Sequence, residues 1–213
     1  MSIQIIYEDN DIIIINKPSG FTVNKAETTV GQETVQDWAE EKILRYKDTK
    51  ILSGKKFPNI PISQYPSISD FQGRAGIVHR LDKETSGVLI IAKTPEAFAD
   101  LQRQFKERLV EKTYTALVHG LVAPAEGEIS IPVGRLPWNR KRFGVVAGGR
   151  ESVTEYTVLT HYSLVRHFGK SPKATHLKSD SGQARMTFSS EEGVEKLTLL
   201  ELHPKTGRTH QIR

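Results

Sequence analysis

His79-Arg80-Leu81-Asp82-Lys83-Glu84-Thr85-Ser86-Gly87 runs without a break into Val88-Leu89-Ile90-Ile91-Ala92. The first nine residues hold one large apolar side chain, Leu81, and the next five are all apolar. A short β-branched run bounded by Gly87 on one side and Thr94-Pro95 on the other reads as a buried strand. Charges at the mouth of a core strand are costly unless they pair or act. Asp82, flanked by Arg80 and Lys83, is expected to be ionised, because nearby cations favour the carboxylate. An ionised carboxylate suits nucleophilic or charge-stabilising work at a sugar. Glu84 offers a second carboxylate, and hence a glycosidase-like pair, although neighbours two apart rarely face one substrate at the separation such a pair needs. The alternative is an ion-paired turn closed by Thr85-Ser86-Gly87.

Outward from this stretch, Thr94-Pro95-Glu96 announces a helix: a cap, a proline at the first helical position and an acid in the first turn. Phe98, Leu101, Phe105 and Leu109 give it an apolar stripe. Upstream, residues 3–7 and 12–15 are β-branched runs separated by Glu8-Asp9-Asn10-Asp11, a hairpin signal. Thr34 can cap a helix from Val35 to about Lys47, with Val35, Trp38, Ala39, Ile43 and Tyr46 on one face. Residues 49–76, interrupted by Pro58, Pro61 and Pro66, predict a long loop inside one core rather than a linker. Downstream, 112–119 alternates as a strand should, with Tyr114, Ala116 and Val118 on one side. Residues 152–162 and 197–202 read as further strands, and 167–193 as a polar loop insertion. Strands outnumber helices and mostly follow turns, so an α+β fold with a mainly antiparallel sheet is expected, as a single domain over 1–213.

Composition narrows the function. Lys and Arg total 30 against 25 acids, a formal charge of +5, compatible with a polyanionic partner. The excess is concentrated. Residues 133–150 carry Arg135, Arg140, Lys141, Arg142 and Arg150 with no acid, interleaved with Trp138 and Phe143, which suits either a nucleic-acid contact or a solvated hairpin. His203-Pro204-Lys205-Thr206-Gly207-Arg208-Thr209-His210-Gln211-Ile212-Arg213 is also acid-free and suits phosphates or a carboxylate. With no cysteine, disulfides, thiol nucleophiles and Cys-based metal sites are excluded. No His-x-x-x-His or Glu-x-x-His spacing suggests a metal, and no phosphate-binding glycine loop is present. No apolar run approaches the roughly 20 residues that span a bilayer, and the N-terminus reads as a strand rather than a secretory signal. A soluble, cytoplasmic protein is expected.

Taken together, Asn16-Lys17-Pro18-Ser19-Gly20, then His79-Arg80-Leu81-Asp82 with Thr85-Ser86-Gly87, then Glu111-Lys112-Thr113-Tyr114, then Gly207-Arg208-Thr209-His210-Gln211-Ile212-Arg213 resemble the motifs of the RluA-type pseudouridine synthases, in the family's order. The resemblance implies isomerisation of uridine to pseudouridine in rRNA or tRNA, without cofactor or metal, by a base flipped from its stack. Asp82 matches the catalytic aspartate, which attacks the sugar or abstracts its C2′ proton. Tyr114 matches the tyrosine that stacks on the base, and Arg213 the arginine that pairs with the aspartate. Arg80 would lie beside the flipped nucleotide and Ile212 would line the pocket. His79, Arg208 and His210 join the substrate-binding set, and Arg140 and Lys141 would meet the RNA backbone.

The resemblance also implies that the last motif runs on into a helix and further strands. Thr209 looks like a helix cap with only four residues after it, fewer than the roughly 12–15 an isolated helix needs, so a C-terminally incomplete catalytic domain is expected. No small RNA-binding domain is expected ahead of the first motif, nor any obligate protein partner, and the protein is expected to be a monomer. The rival reading is an RNA-binding or RNA-folding protein that keeps the fold without turnover.

Overall fold

In the computed structural model, which describes residues 3–50, 68–165 and 194–213, the chain divides into two units, Met1–Val110 and Glu111–Arg213. One domain was the expectation. Each unit has its own antiparallel sheet, in keeping with the predicted α+β class. No helix among the described residues is long and apolar enough to cross a membrane.

The first unit opens with the expected hairpin, β1 (Gln4–Glu8) and β2 (Ile12–Lys17). Asp9 closes it, its Oδ1 accepting the amides of Asp11 and Ile12 at 2.8 Å each, which is why an aspartate suits that turn. β2 then pairs with β3 (Gly87–Ala92), Ile15 facing Leu89 and Ile13 facing Ile91. Those four side chains are buried on one face. On the other face Val88 is 58% exposed, Ile90 half-buried and Ala92 buried, so that face is covered only toward the end of β3, a correction to its reading as a wholly buried strand.

Helix α1 (Val35–Lys50) begins where the sequence places its cap. The Thr34 hydroxyl accepts the Asp37 amide at 3.2 Å and the Asp37 carboxylate accepts the Thr34 amide at 2.8 Å, a reciprocal capping box. Val35, Trp38 and Ala39 are buried as predicted; the side chains of Ile43 and Tyr46 lie outside the described residues. The expected loop over 49–76 needs correction. α1 reaches Lys50, and α2 (Ile68–Gly73) brings Phe71 into the core; residues between them lie outside the described set. α3 (Pro95–Lys106) has the predicted Thr94 cap, whose hydroxyl accepts the Ala97 amide at 3.2 Å. Its fully buried Phe98 meets Phe71 edge to face, with ring centroids 5.6 Å apart. Leu109 does not extend the stripe: it follows the helix end and is 59% exposed.

The second unit is a five-stranded sheet of β4 (Tyr114–His119), β5 (Glu126–Leu136), β6 (Asn139–Val145), β7 (Arg150–Val165) and β8 (Val194–Pro204), in the order β4-β8-β7-β5-β6. Burial alternates along β4 as predicted. Tyr114, Ala116 and Val118 stand opposite Leu202, Leu200 and Thr198 of β8, all three of which are buried. The basic stretch 133–150 is a hairpin, which leaves both of its expected uses open: Val133 faces Val145, Gly134 faces Gly144 and Arg135 faces Phe143. Gly149, where the chain re-enters the sheet, is required by space. A Cβ there would stand 2.9 Å from the Val133 carbonyl carbon, closer than side chains come to backbone. The insertion expected at 167–193 lies outside the described residues.

Candidate active site

Asp82 belongs to the first unit, on the loop that enters β3. The residues before it alternate in environment. Leu81 is buried, anchoring the segment, while Arg80 is exposed and Asp82 half-buried. His79 is anchored too. Its Nε2 accepts the Ile90 amide at 3.0 Å, and its ring stacks on Phe105 of α3, with centroids 4.7 Å apart. An imidazole that accepts at Nε2 carries its proton on Nδ1 when neutral. Ile90 lies opposite Ile14 of β2, so this bond caps the side of β3 away from β2.

A second loop clamps this one. Lys17, at the end of β2, has no solvent exposure at all. Its ammonium donates to three carbonyls, those of Phe21 at 2.8 Å, Pro18 at 2.9 Å and Lys83 at 3.0 Å. A buried ammonium is tolerable when all three of its protons are used. Alongside it, the Gly20 amide donates to the same Lys83 carbonyl at 2.9 Å, and the Ser19 hydroxyl to the Glu84 carbonyl at 2.7 Å. Gly20 has φ +86°, a conformation glycine adopts without steric cost. The loop is further tightened by the Thr85 amide on the Asp82 carbonyl at 3.1 Å. Burial pulls the Lys17 ammonium below the usual lysine range, while the negative charges of Glu84 and Asp82 pull it back. Asn16-Lys17-Pro18-Ser19-Gly20 is therefore the scaffold of the Asp82 loop. Its lysine carries a structural role that local sequence pattern does not reveal, since a lysine is normally solvated.

Tyr114 and Arg213 belong to the second unit. Tyr114 opens β4 opposite Leu202, and Leu202 in turn faces Tyr156 of β7. Arg208, His210, Gln211, Ile212 and Arg213 follow β8 in a loop folded against β7. No helix starts at Thr209: the chain makes tight turns, with the Gln211 amide on the Arg208 carbonyl at 3.2 Å and the Arg213 amide on the His210 carbonyl at 3.1 Å. Gln211 holds the loop together. Its Oε1 accepts from the Thr206 hydroxyl and the Arg208 amide, both at 2.8 Å. Its Nε2 donates to the Val153 carbonyl at 3.0 Å and the Thr154 hydroxyl at 2.9 Å. Two acceptor sites and two donor protons are the full capacity of a glutamine amide, so every one is used. Thr206 completes the seam, its hydroxyl accepting the Val153 amide at 3.0 Å. Arg208 is half-buried, its Nε donating to the Glu151 carbonyl at 2.9 Å, and Arg213 is exposed. His210 sits at φ +59° against Phe143 of β6. Gln211 is a residue that motif reading quotes but assigns no role; only its partners on β7 reveal one.

Arg140 and Lys141 lie on β6 at the end nearest its turn with β5, beside the 71% exposed Trp138. Among the described residues no three histidine or acidic side chains converge as a metal ion would need. The arrangement thus offers, in one unit, a carboxylate on a clamped loop and, in the other, a strand tyrosine, an arginine loop and a basic hairpin.

The profile of the family described as RNA pseudouridylate synthase matches residues 11–213. An uncharacterised RNA pseudouridine synthase of Aquifex aeolicus is 36% identical over 99% of this chain and 51% of its own length. A ribosomal large subunit pseudouridine synthase D of Neisseria meningitidis serogroup B is 35% identical over all of this chain and 42% of its own length. The chain spans about half the length of the curated relatives it matches. Among solved structures, human RNA pseudouridylate synthase domain containing 1 aligns with a TM-score of 0.60 at 22% identity, covering 100% of this chain and 63% of that one.

Proposed function

The chain belongs to the RNA pseudouridylate synthase family, in its RluA-type branch, and from that membership we propose that it isomerises uridine to pseudouridine in structured RNA. The Neisseria relative's name points to ribosomal RNA of the large subunit as the substrate class. The observation that carries the reading is the clamp on the Asp82 loop, in which Lys17, Ser19 and Gly20 hold the carbonyls of Lys83 and Glu84. A carboxylate that must meet one atom of a sugar needs its backbone held to within about half an ångström, and two motifs distant in sequence supply that restraint.

In this reading Asp82, ionised, acts at the sugar of a flipped uridine, either by attack at C1′ or by removing the C2′ proton. The N1–C1′ bond breaks, the uracil turns, and C5 bonds to C1′ as the aspartate's bond to C1′ breaks or, on the other route, as C2′ regains its proton from the aspartic acid; the C5 proton then leaves and N1 takes one up. The reaction is balanced without oxidant, reductant or second substrate. Tyr114 stacks on the base and assists removal of the C5 proton, Arg213 pairs with the aspartate, Arg80 flanks the flipped nucleotide and Ile212 lines the pocket. Arg208, Arg140 and Lys141 serve the phosphates. His79 serves the site from behind, since its Nε2 is committed to Ile90 and its ring to Phe105. Contacts to phosphate offset the few kcal/mol that unstacking a base costs.

The test incubates the protein with transcribed large-subunit ribosomal RNA and maps pseudouridine by carbodiimide-dependent primer extension. The wild type is expected to introduce pseudouridine and Asp82→Asn to introduce none, with RNA affinity unchanged to within about twofold, because one neutralised carboxylate removes no phosphate contact. Turnover by the Asn variant overturns the assignment of Asp82. RNA binding by the wild type without turnover on ribosomal or transfer RNA favours the rival, an RNA-binding protein without catalysis. Comparing pseudouridine maps of cells with and without the gene then identifies the RNA.

A further inference from the structure

Within the second unit, the basic hairpin and the arginine loop meet through one ring. β5 and β6 set Arg135 directly opposite Phe143, and the Arg135 guanidinium stands over the Phe143 ring, 5.0 Å from its centroid. The same ring meets the imidazole of His210 edge to face, with centroids 5.4 Å apart and planes at 69°. His210 holds φ +59°, a left-handed conformation that is uncommon for a residue with a side chain. The carbonyl of this residue accepts the Arg213 amide at 3.1 Å. Phe143 is half-buried and Arg135 exposed, so the stack reaches from solvent on the hairpin to the backbone that carries Arg213.

We propose that Phe143 is a positioning residue for the reaction: seated between Arg135 and His210, it fixes the turn of the 208–213 loop and so ties the RNA-facing hairpin to Arg213. The inference rests on the isomerase reading for its purpose but not for its geometry. The Gln211 amide bonds hold the loop to β7, and the Phe143 edge packs the ring of His210 at the left-handed turn beside them. RNA that settles on the hairpin through Arg135 presses on the same ring. A hairpin that served affinity alone has no need of an aromatic contact to the loop after β8.

Two variants separate the ring from its bulk. Phe143→Leu keeps an apolar side chain in the hairpin and removes the aromatic edge, whereas Phe143→Tyr keeps the ring. The first measurement needs no RNA: in the 213-residue protein, exchange of the Gln211 backbone and side-chain amide protons is followed by NMR. Leu is expected to speed it about tenfold while the β7–β8 amides keep their rates, and Tyr to leave it unchanged. Wild-type exchange in the Leu variant, or equal acceleration throughout β5 and β6, overturns the proposal. The second measurement is steady-state turnover on ribosomal RNA. Leu is expected to lower kcat about tenfold with KM within about twofold, and Tyr to restore it. A raised KM at unchanged kcat also overturns the proposal, since it assigns Phe143 to binding alone. A wild type without turnover overturns the isomerase reading instead, and the exchange rates then decide the contact by themselves.

Discussion

The ammonium of Lys17 lies 3.0 Å from the carbonyl oxygen of Lys83, the residue that follows Asp82. A fully buried cation thus ends on the backbone of the loop that carries the candidate carboxylate. The positive charge needs the three carbonyls around it, and the loop needs the positive charge. Removing either leaves polar groups buried without partners, which makes the pair a mutual restraint rather than a surface contact.

Lys17→Met keeps most of the apolar stem and deletes the three donors. The carbonyls of Pro18, Phe21 and Lys83 lose a charged partner, and the first unit should lose about 2–4 kcal/mol. Urea unfolding followed by the fluorescence of Trp38, which is buried in that unit, reads the change. A loss below about 1 kcal/mol would mean that the three carbonyls are otherwise solvated. Turnover should fall with the loop's order even under conditions where the variant is fully folded.

Gln211→Ala removes four hydrogen bonds at once. It leaves the Arg208 amide to find another partner, while the Val153 carbonyl keeps only the Lys205 amide at 3.0 Å, and a cost of about 1–3 kcal/mol is expected. Gln211→Glu is the sharper variant. It keeps an acceptor for Thr206 and Arg208 but turns a carboxylate oxygen toward the Val153 carbonyl, where the amide nitrogen now donates across 3.0 Å. At pH 7 it should be at least as destabilising as Ala in thermal unfolding. A Glu variant as stable as the wild type would refute the donor assignment at Nε2.

Asp37 caps α1. Hydrogen bonds from the Thr34 hydroxyl and amide, with Lys25 alongside, hold its carboxyl down to about 2. Between that value and the unfolded value near 3.8, the unfolded chain binds more protons than the folded one, so stability falls as pH falls. The contribution of Asp37 is complete above about pH 5 and is lost progressively as pH drops through about 2. Measured by urea unfolding at each pH, the stability gap between the wild type and Asp37→Asn should shrink steadily from pH 5 downward. A constant gap would show that the cap acts without its charge.

Arg140→Gln with Lys141→Gln tests the hairpin as a phosphate contact. Each cation that neutralises a phosphate contributes about 0.7–0.9 to the slope of log affinity against log salt. The double variant should therefore flatten the slope by about 1–2 and weaken binding alike for different sequences. An unchanged slope would place these side chains away from the RNA. Trp138, exposed at the hairpin turn, reports the binding by its fluorescence.

Much of the fold was legible because its signals are local. The Thr34 and Thr94 caps, the alternation along β4 and the Asp9 turn all follow from residues within a few positions of one another. The readings that failed were those a neighbour decides. Leu109 continues the helical period of Phe98 and Phe105, yet α3 stops at Lys106, and Arg108 turns to φ +60°. The 133–150 stretch does form the hairpin that is one of its two alternatives, but nothing local to it shows that β5 starts at Glu126 and pairs eight residues with β7. Likewise, the polar residues ahead of β3 give no hint that His79 is spent on Ile90 and Phe105.

The sequence by itself determined the order of the motifs and with it the family; residue type and context singled out Asp82, and the resemblance of the motifs pointed to Tyr114 and Arg213. Tertiary structure alone decided what holds those residues. Lys17 finds Lys83 across 66 positions, and Gln211 finds Val153 and Thr154 across 58 and 57. No periodicity encodes such partners, because they depend on which strand edges meet and in what register. A buried ammonium or a saturated amide is recognisable only once every proton has been traced to its acceptor.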